Sequence, residues 1–379
     1  MKWELKTLNE LGFVGRGKSR HRPRNAEHLY GGIYPLIQTG DIQKANFYIT
    51  EYSQTYSEDG LAQSKLWNQG TMVISIVGAN TAETAILGFD ACFPDSVIGF
   101  IPDKQKTDVK FVKYNLEYLK SHLKSISEGT ARENLSLEKL LSIKIPTPPL
   151  NTQKKISSIL SGYDDLIETN LKRIKLLEEK LMIEYSFLED ESKNLKEYDF
   201  SNFVTFIKGI EPGSESYLSE KSEGTIPFIR VGDLSKRNSD IFIEESKSKD
   251  IICNPNDVLI SMDGTVGIVR YGLYGCYSSG IRKAVSNGVF NNAFIFCYLS
   301  SSKIQGVIYS HSKGSTIQHA GSSINHFKIK LPKESSLENF IRLSNPIYDL
   351  MKNLLMQNIK LREARDILLP RLMNGQIEV

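Results

Sequence analysis

One segment of the sequence has residue types and a spacing that are typical of phosphate chemistry. Gly12–Ser19 follows the pattern G-x-x-x-x-G-K-S, in which backbone N–H groups surround a phosphate and the lysine binds it. Such a loop needs a buried strand before it and a helix after it. Lys6–Leu11 is short and polar, and Pro23 disfavours helical geometry in the residue before it. A nucleotide-binding enzyme that uses Gly12–Ser19 therefore stays an alternative hypothesis.

The same segment contains a regular series of basic residues. In an extended chain these alternate residues lie on one side, and they are Arg16, Lys18, Arg20, Arg22 and Arg24. Lysine and arginine bind DNA phosphates, and arginine can also hold guanine through two hydrogen bonds. The pattern favours a DNA contact over a solvated charged loop, because the whole chain carries a net charge of only +3.

The second half of the chain has fewer basic residues in comparable positions. We take these as further candidates for DNA binding: Arg230, Lys236, Arg237, Arg282, Lys283 and Lys313.

The sequence contains no recognisable catalytic centre. Asn254–Asp257 begins like an adenine-methyltransferase motif but lacks the second proline and the aromatic residue that stacks on a flipped base. The intervals between His311, His319 and His326 match no metal motif. The cysteines form no C-x-x-C pair and predict free thiols in a reducing compartment: Cys92, Cys253, Cys276 and Cys297. We expect no enzymatic activity, no metal and no cofactor in this chain.

No apolar stretch is long enough for a membrane span, since the most apolar run, Phe294–Leu299, has the length of a strand. The N-terminal residues Met1–Lys6 lack the apolar region of a signal peptide. We therefore predict a cytoplasmic protein without a membrane partner.

The chain repeats itself once. Pro35–Ile42 matches Pro227–Leu234 at an offset of 192 residues, and Val73–Gly78 matches Leu259–Gly264 at an offset of 186. Each repeat has short apolar runs broken by turn residues, then a proline, then a long charged segment. The repeated Gly-Asp pairs, at Asp41 and Asp233, predict turns in which the aspartate bonds nearby backbone N–H groups.

The long charged segments have helical periodicity. In the first, about Asn151 to Asp190, core positions alternate at intervals of four and three residues, as in a coiled coil, and Asn170 interrupts them. The second, about Leu337 to Met373, is similar, with Asn358 at its polar position and a proline, Pro346, that bends or begins the helix.

Two such segments predict a helix pair in which the two asparagines fix the register, at a cost in stability. We expect leucine at Asn170 or Asn358 to stabilise the pair and loosen its register. Two unrelated amphipathic helices remain an alternative. A coiled-coil scaffold without DNA recognition remains an alternative function.

Three strings carry a family resemblance. The C-terminal string Arg362–Ile377 and the central string Pro148–Ile156 with Tyr163–Asn170 resemble specificity (S) subunits of Type I restriction-modification systems. Ile260–Gly267 is similar to a recurring string in the target-recognition domains of that family. The resemblance covers the whole chain.

The resemblance implies an α+β fold. It has two tandem target-recognition domains of mixed small sheets and short helices, separated by two long antiparallel coiled-coil helices, with a pseudo-two-fold internal repeat. The corresponding boundaries are residues 1–149 and 195–335 for the domains, and 150–194 and 336–379 for the helices.

The resemblance also implies a function. The chain would be a non-catalytic specificity subunit that binds double-stranded DNA at a bipartite, asymmetric site. Its partners would be two methyltransferase (M) subunits and the restriction (R) subunits. S-adenosylmethionine, ATP and Mg²⁺ would belong to those partners.

Overall fold

The computed structural model describes residues 3–128, 135–237, 239–312, 314 and 318–379. Contacts between Cα atoms divide the chain into two units. Unit 1 contains Met1–Glu168 and Ile359–Val379, and unit 2 contains Thr169–Asn358. The predicted boundaries separate the domains from the long helices, whereas the two units divide the chain within those helices. The predicted boundaries therefore stay a prediction.

Unit 1 contains eleven strands in its described residues. They are β1 (Glu4–Lys6), β2 (Gly12–Arg16), β3 (Tyr30–Leu36), β4 (Tyr48–Ile49), β5 (Gln54–Tyr56), β6 (Leu66–Trp67), β7 (Met72–Ser75), β8 (Thr84–Leu87), β9 (Ala91–Cys92), β10 (Val97–Pro102) and β11 (Ile145–Thr147). Its short helices are α1 (Leu8–Leu11), α2 (Thr39–Lys44), α3 (Glu58–Ala62), α4 (Val109–Tyr118), α5 (Lys120–Glu128) and α6 (Leu137–Ser142).

The first long helix, α7 (Leu150–Glu191), contributes residues to both units. The strands that follow it are β12 (Glu197–Asp199), β13 (Val204–Lys208), β14 (Thr225–Ile229), β15 (Phe242–Glu244), β16 (Ile252–Cys253), β17 (Val258–Ser261), β18 (Asp263–Gly264), β19 (Val269–Arg270), β20 (Gly275–Tyr277), β21 (Ile281–Ser286), β22 (Gln318–His319) and β23 (Lys328–Lys330). The remaining helices are α8 (Val231–Lys236), α9 (Asn292–Ser300), α10 (Ser302–Ser310) and the second long helix, α11 (Glu334–Met373).

The two units repeat the same strand order. The order β2-β10-β7-β8 in unit 1 corresponds to β13-β21-β17-β19 in unit 2, and each neighbouring pair is antiparallel. The order β5-β3-β9-β6 corresponds to β15-β14-β20-β16, with one parallel pair in the middle of each sheet. The predicted α+β fold with an internal repeat of small mixed sheets is confirmed.

A buried helix packs against one sheet in each unit, the sheet with the order β2-β10-β7-β8 in unit 1 and the sheet β13-β21-β17-β19 in unit 2. In unit 1 this is α4, and in unit 2 it is α9, whose residues Ala293–Leu299 are all buried. The helices begin at equivalent caps, because Asp108 accepts the Phe111 N–H and Asn291 accepts the Phe294 N–H. The run Phe294–Leu299, which has the length of a strand, therefore lies in helix α9. Its sequence did not show this, because periodicity alone does not distinguish a buried strand from a buried helix.

The two long helices are antiparallel within each unit. In unit 2, Tyr185 of α7 contacts Phe340 of α11 with ring centroids 6.3 Å apart, whereas the earlier residue Asn170 contacts the later residue Asn358. In unit 1, Ile156 and Leu160 share a hydrophobic core with Leu372 near the end of α11.

The observed helix bounds lie within three residues of the two periodic segments, about Asn151 to Asp190 and about Leu337 to Met373. Pro346 lies inside α11 and does not begin it, and a bend at this proline stays a prediction. A proline inside a helix removes one backbone hydrogen bond. The helix is held in place here by the packing of Tyr348 and Met351, which follow Pro346 and belong to the hydrophobic core of unit 2.

Candidate nucleic-acid interface

The chain leaves β2 in unit 1 and the equivalent strand β13 in unit 2 with the same backbone hydrogen bonds. After β2, the Gly17 N–H donates to the Val97 carbonyl (2.9 Å), and the Lys18 N–H donates to the Phe93 carbonyl (3.0 Å). After β13, the Gly209 N–H donates to the Ile281 carbonyl (3.1 Å), and Ile210 donates to Tyr277 (3.0 Å). These bonds define one repeated backbone position, which we call the strand exit, at Gly17–Lys18 and Gly209–Ile210.

Each strand exit requires a glycine because two backbone segments nearly touch there. A Cβ atom on Gly17 would lie 2.2 Å from the Phe93 carbonyl oxygen, and one on Gly209 would lie 2.1 Å from the Ser278 carbonyl oxygen. The residues Gly12–Arg16 of the phosphate-loop pattern form strand β2, which pairs with β10 instead of curling around a ligand. The geometry of this segment does not fit a nucleotide-binding loop.

The basic segment Arg16–Arg24 follows the strand exit of unit 1. The side chains of its five basic residues are exposed, while Gly17 is buried and Ser19 and His21 are half-buried. Its backbone is held in place, because Gln63 Oε1 accepts the N–H groups of Arg20 (2.6 Å) and His21 (3.1 Å). The five cations therefore occupy the exposed positions that an extended chain predicts.

Two arginines of this segment have partners within the unit. Arg22 Nη1 donates to the carbonyls of Ser19 and His21, each at 2.7 Å. Arg24 Nη2 contacts both carboxylate oxygens of Asp95, at 2.9 and 3.0 Å. Such an exposed ion pair is worth about 1 kcal/mol or less, so the Arg24 guanidinium is only weakly held by Asp95.

An additional cation lies next to this segment. Lys65 Nζ lies 3.7 Å from the centroid of the Trp67 ring and 5.0 Å from that of Phe13. Burial and then the charge of Lys18 lower the pKa of Lys65. Lys65 is not predictable from the sequence, because no local pattern brings it to Lys18.

The repeated Gly-Asp pairs lie at the start of a short helix in each unit, where the sequence predicts a turn. Asp41 Oδ2 accepts the Gln38 N–H at 2.8 Å, and Asp233 Oδ2 accepts the Arg230 N–H at 2.9 Å. We call this feature the Asp turn; it is the first turn of α2 in unit 1 and of α8 in unit 2. The predicted bond between each aspartate and a nearby backbone N–H is confirmed, but the turn belongs to a helix.

The basic candidates of unit 2 occupy different environments. Arg230 and Lys236 are exposed, whereas Arg282 is half-buried and donates from Nη1 to the Ser279 and Ile281 carbonyls. Lys283 Nζ donates to the Ile252 carbonyl at 2.9 Å. Lys313 lies outside the described residues. Arg230 and Lys236 are therefore the accessible candidates of this group.

Arg237 is part of a side-chain network against α7. Its Nη2 lies 2.9 Å from Glu178 Oε1, and its guanidinium lies 4.9 Å from the centroid of the Tyr271 ring. The Tyr271 hydroxyl donates to the same carboxylate at 2.6 Å. This position favours a structural role for Arg237 over the DNA contact that we predict for it.

The two predicted register residues are in contact. Asn170 Nδ2 donates to Asn358 Oδ1 at 2.9 Å, and the two side chains are buried. Asn358 Nδ2 has no hydrogen-bond partner in the described part of the chain. Their role in setting the register stays a prediction.

A buried ion pair in unit 1 was not predicted. Asp164 of α7 is fully buried and accepts hydrogen bonds from the Tyr114 hydroxyl and from Arg365 Nη1, each at 2.5 Å. Burial raises the pKa of Tyr114, and the Asp164 charge raises it further. Burial lowers the pKa of Arg365, but the carboxylates of Asp164 and Asp366 together outweigh that effect and hold the pKa above the ordinary value.

The four cysteines are unpaired and buried. Burial raises the pKa of Cys253 to about 12 and that of Cys276 to about 11, so these thiols are unreactive near neutral pH.

The described ranges contain no cluster of three or more His, Cys, Asp or Glu suited to a metal ion. In those same ranges, no helix combines the length and the apolar character that crossing a membrane requires.

The repeated strand order, strand exit and Asp turn define a protein built from two copies of one domain. The family described as Type I restriction modification DNA specificity domain matches this chain twice, at residues 1–179 and 191–362. The chain therefore belongs to this family of Type I specificity subunits, and the resemblance seen in the three sequence strings is confirmed.

Individual relatives agree with this assignment. The Type I restriction enzyme MjaIX specificity subunit of Methanocaldococcus jannaschii is 25% identical over 421 residues, which cover 100% of this chain and 94% of that protein. A putative specificity subunit of Haemophilus influenzae, S.HindORF215P, is 28% identical over 49% of this chain and 48% of its own length. The crystal structure of the S subunit from M. genitalium has the same fold, with a TM-score of 0.53 and 19% identity over 98% of this chain and 96% of that chain.

Proposed function

We propose that this specificity subunit binds a bipartite and asymmetric DNA site, with one half-site for each copy of the repeated domain. The repeated backbone geometry supports this proposal, because the same strand exit and the same Asp turn occur once in each unit. The exposed side chains on that shared geometry differ between the units. A duplicated scaffold with unlike side chains binds two unlike half-sites.

The basic segment of unit 1 supplies sequence-independent affinity in this proposal. Its equivalent in unit 2 starts with Lys208 and continues with two acidic residues, Glu211 and Glu215. Contacts between lysine or arginine and phosphates position a protein on the duplex without recognising sequence. We therefore expect unit 1 to contribute more of the salt-dependent affinity than unit 2.

We further propose that α7 binds a methyltransferase subunit. In unit 2 this helix exposes three large apolar side chains at intervals of seven and four residues, which lie on one helix face: Leu176, Ile183 and Phe187. Catalysis then belongs to the methyltransferase and restriction subunits, which would hold S-adenosylmethionine, ATP and Mg²⁺.

Replacing Ile183 with Asp should remove the methyltransferase from the complex and leave the fold of this chain unchanged.

DNA footprinting of the full chain with its methyltransferase subunits tests the bipartite site. The proposal predicts two protected blocks of unlike sequence and a logarithm of affinity that falls linearly with the logarithm of salt concentration. One continuous protected block, or affinity that does not depend on salt, would contradict it.

A matched pair of charge reversals tests the basic segment. Arg16 pairs with Ile98 at one end of the β2–β10 ladder, and the exposed Lys104 follows the other end of β10. Arg16→Glu should weaken binding to all sequences and reduce the salt slope by about one. Lys104→Glu, which makes the same charge change, should leave both quantities unchanged.

A further inference from the structure

The residue that begins the Asp turn occupies an equivalent position in the two units but differs in chemistry. It is Gln38 in unit 1 and Arg230 in unit 2, at the repeat offset of 192 residues. The backbone angles agree closely, with φ −109° and ψ 170° at Gln38 and φ −92° and ψ 165° at Arg230. The Asp turn therefore presents two different side chains from the same backbone geometry.

These two residues lie beside the strand exit. In unit 1, the Ile37 N–H donates to the Cys92 carbonyl (2.8 Å), and Lys18 donates to the carbonyl of the next residue, Phe93 (3.0 Å). In unit 2, Ile229 pairs with Tyr277, and the Tyr277 carbonyl accepts the Ile210 N–H (3.0 Å). The chain that leads to Gln38 and the exposed basic segment thus flank the same two residues, Cys92 and Phe93, and Arg230 occupies the corresponding place in unit 2.

Each side chain is exposed and is held along one edge only. Arg230 Nε and Nη2 donate to the two oxygens of the buried Asp233, at 3.2 and 3.4 Å. These bonds use two of the five N–H donors of the guanidinium group and leave its outer end open to solvent. Gln38 Nε2 donates to Gln54 Oε1 at 2.5 Å, which leaves one N–H and the amide oxygen of Gln38 for another partner.

The open groups match two different bases. The outer N–H groups of an arginine bind O6 and N7 of guanine, whereas a glutamine amide accepts from N6 of adenine and donates to N7. A side chain that is already fixed in the free protein loses less entropy when it binds. The contact with Asp233 fixes Arg230 in this way. A phosphate contact does not require this arrangement.

We propose that Gln38 and Arg230 are equivalent base-recognition residues, with Gln38 contacting an adenine in one half-site and Arg230 contacting a guanine in the other. This inference rests on the proposed bipartite function and goes beyond it. Asp41 and Asp233 are positioning residues that fix the two turns.

Exchange of the two side chains tests the proposal. The full chain with its methyltransferase subunits is incubated with a pool of randomised duplexes, and the bound DNA is sequenced. Arg230→Gln should change one position of one half-site from guanine to adenine, with a discrimination of about 10- to 100-fold. Gln38→Arg should make the reverse change in the other half-site. The unaltered half-site reports in each case that the variant is folded.

Two further variants separate base recognition from phosphate binding. Arg230→Lys keeps the charge but loses the planar pair of donors, so it should relax the preference at that one position while affinity for random DNA is retained. Lys221→Ala, at an exposed lysine of unit 2 outside the candidate set, should not change the preference at any position.

The outcomes distinguish this inference from the function on which it rests. If the wild-type chain selects a bipartite site but Arg230→Gln and Gln38→Arg leave every base preference intact, the two residues do not recognise bases. If the wild-type chain selects no bipartite site, the proposed function itself is wrong.

Discussion

At the scale of single residues, four glycines show how the repeat is built. Gly17 and Gly209 lie at the strand exits, where a Cβ atom would approach a carbonyl oxygen to 2.2 or 2.1 Å. Gly40 and Gly232 lie in the Asp turns and have no atom within 4 Å of a Cβ position. The two pairs share the offset of 192 residues, yet only the first pair is required by close approach of the backbone.

This contrast gives a matched mutational prediction. Gly17→Ala and Gly209→Ala should each lower the free energy of unfolding by about 1–3 kcal/mol, because the methyl group forces the two backbone segments apart. Gly40→Ala and Gly232→Ala should be neutral or slightly stabilising. Chemical denaturation of the four variants measures these differences. Equal losses of stability in the strand-exit variants and in the Gly40→Ala and Gly232→Ala variants would contradict the packing argument.

The sequence predicted the backbone bonds of Asp41 and Asp233 but not the close approach at Gly17. An aspartate that bonds the backbone N–H three residues earlier is a local interaction, so its pattern is visible along the chain. The contact of Gly17 with Phe93 joins residues far apart in sequence, and no local pattern contains it. Lys65 escaped notice for the same reason.

At the scale of elements, the asparagine pair in unit 2 changes one of our predictions. Leucine at Asn170 alone would leave the buried Asn358 Oδ1 without its donor, and an unsatisfied buried group costs about 1–3 kcal/mol. Single substitution should therefore lower the melting temperature, whereas Asn170→Leu with Asn358→Leu should raise it. The sequence-based expectation that either leucine alone is stabilising does not account for this partner.

The double variant should also loosen the helix register. Spin labels at the exposed positions Lys172 and Met356, both in unit 2, should give one narrow distance distribution in the wild type and a broader one in the double variant. Unchanged widths, together with a lower melting temperature, would show that the asparagine pair does not set the register.

The buried ion pair in unit 1 gives a second prediction for the long helices. Asp164→Asn removes the buried counter-ion of Arg365, which keeps only the exposed carboxylate of Asp366, and should destabilise the protein by about 3 kcal/mol or more. Asp190→Asn, on the same helix, removes an exposed pair with Lys193 and should cost less than about 1 kcal/mol. Equal losses in denaturation experiments would mean that Asp164 is not held as a buried charge.

Periodicity predicted the long helices well and the short elements less well. The heptad pattern extends over many turns, so α7 and α11 were placed within three residues of their observed ends. The run Phe294–Leu299 is too short and too uniformly apolar to show a period. Its cap, Asn291, gives the helical signal that the apolar residues lack.

At the scale of the whole molecule, the internal repeat was the most informative feature of the sequence. It predicted two copies of one α+β domain, and the two copies have the same strand order. The repeat did not predict which strands are neighbours, because pairings such as β10 between β2 and β7 depend on long-range contacts. Nor did it predict that the basic segment of unit 1 has a counterpart in unit 2 that contains acidic residues.

The central claim is that one chain with two unlike copies of a domain specifies two unlike stretches of DNA. Sequencing the methylated adenines in a host that carries this chain with its methyltransferase subunit tests the claim most directly. We predict a single methylated motif made of two different sequence blocks, separated by a gap of constant length and unspecified sequence. An uninterrupted motif, or two blocks of the same sequence, would contradict the account.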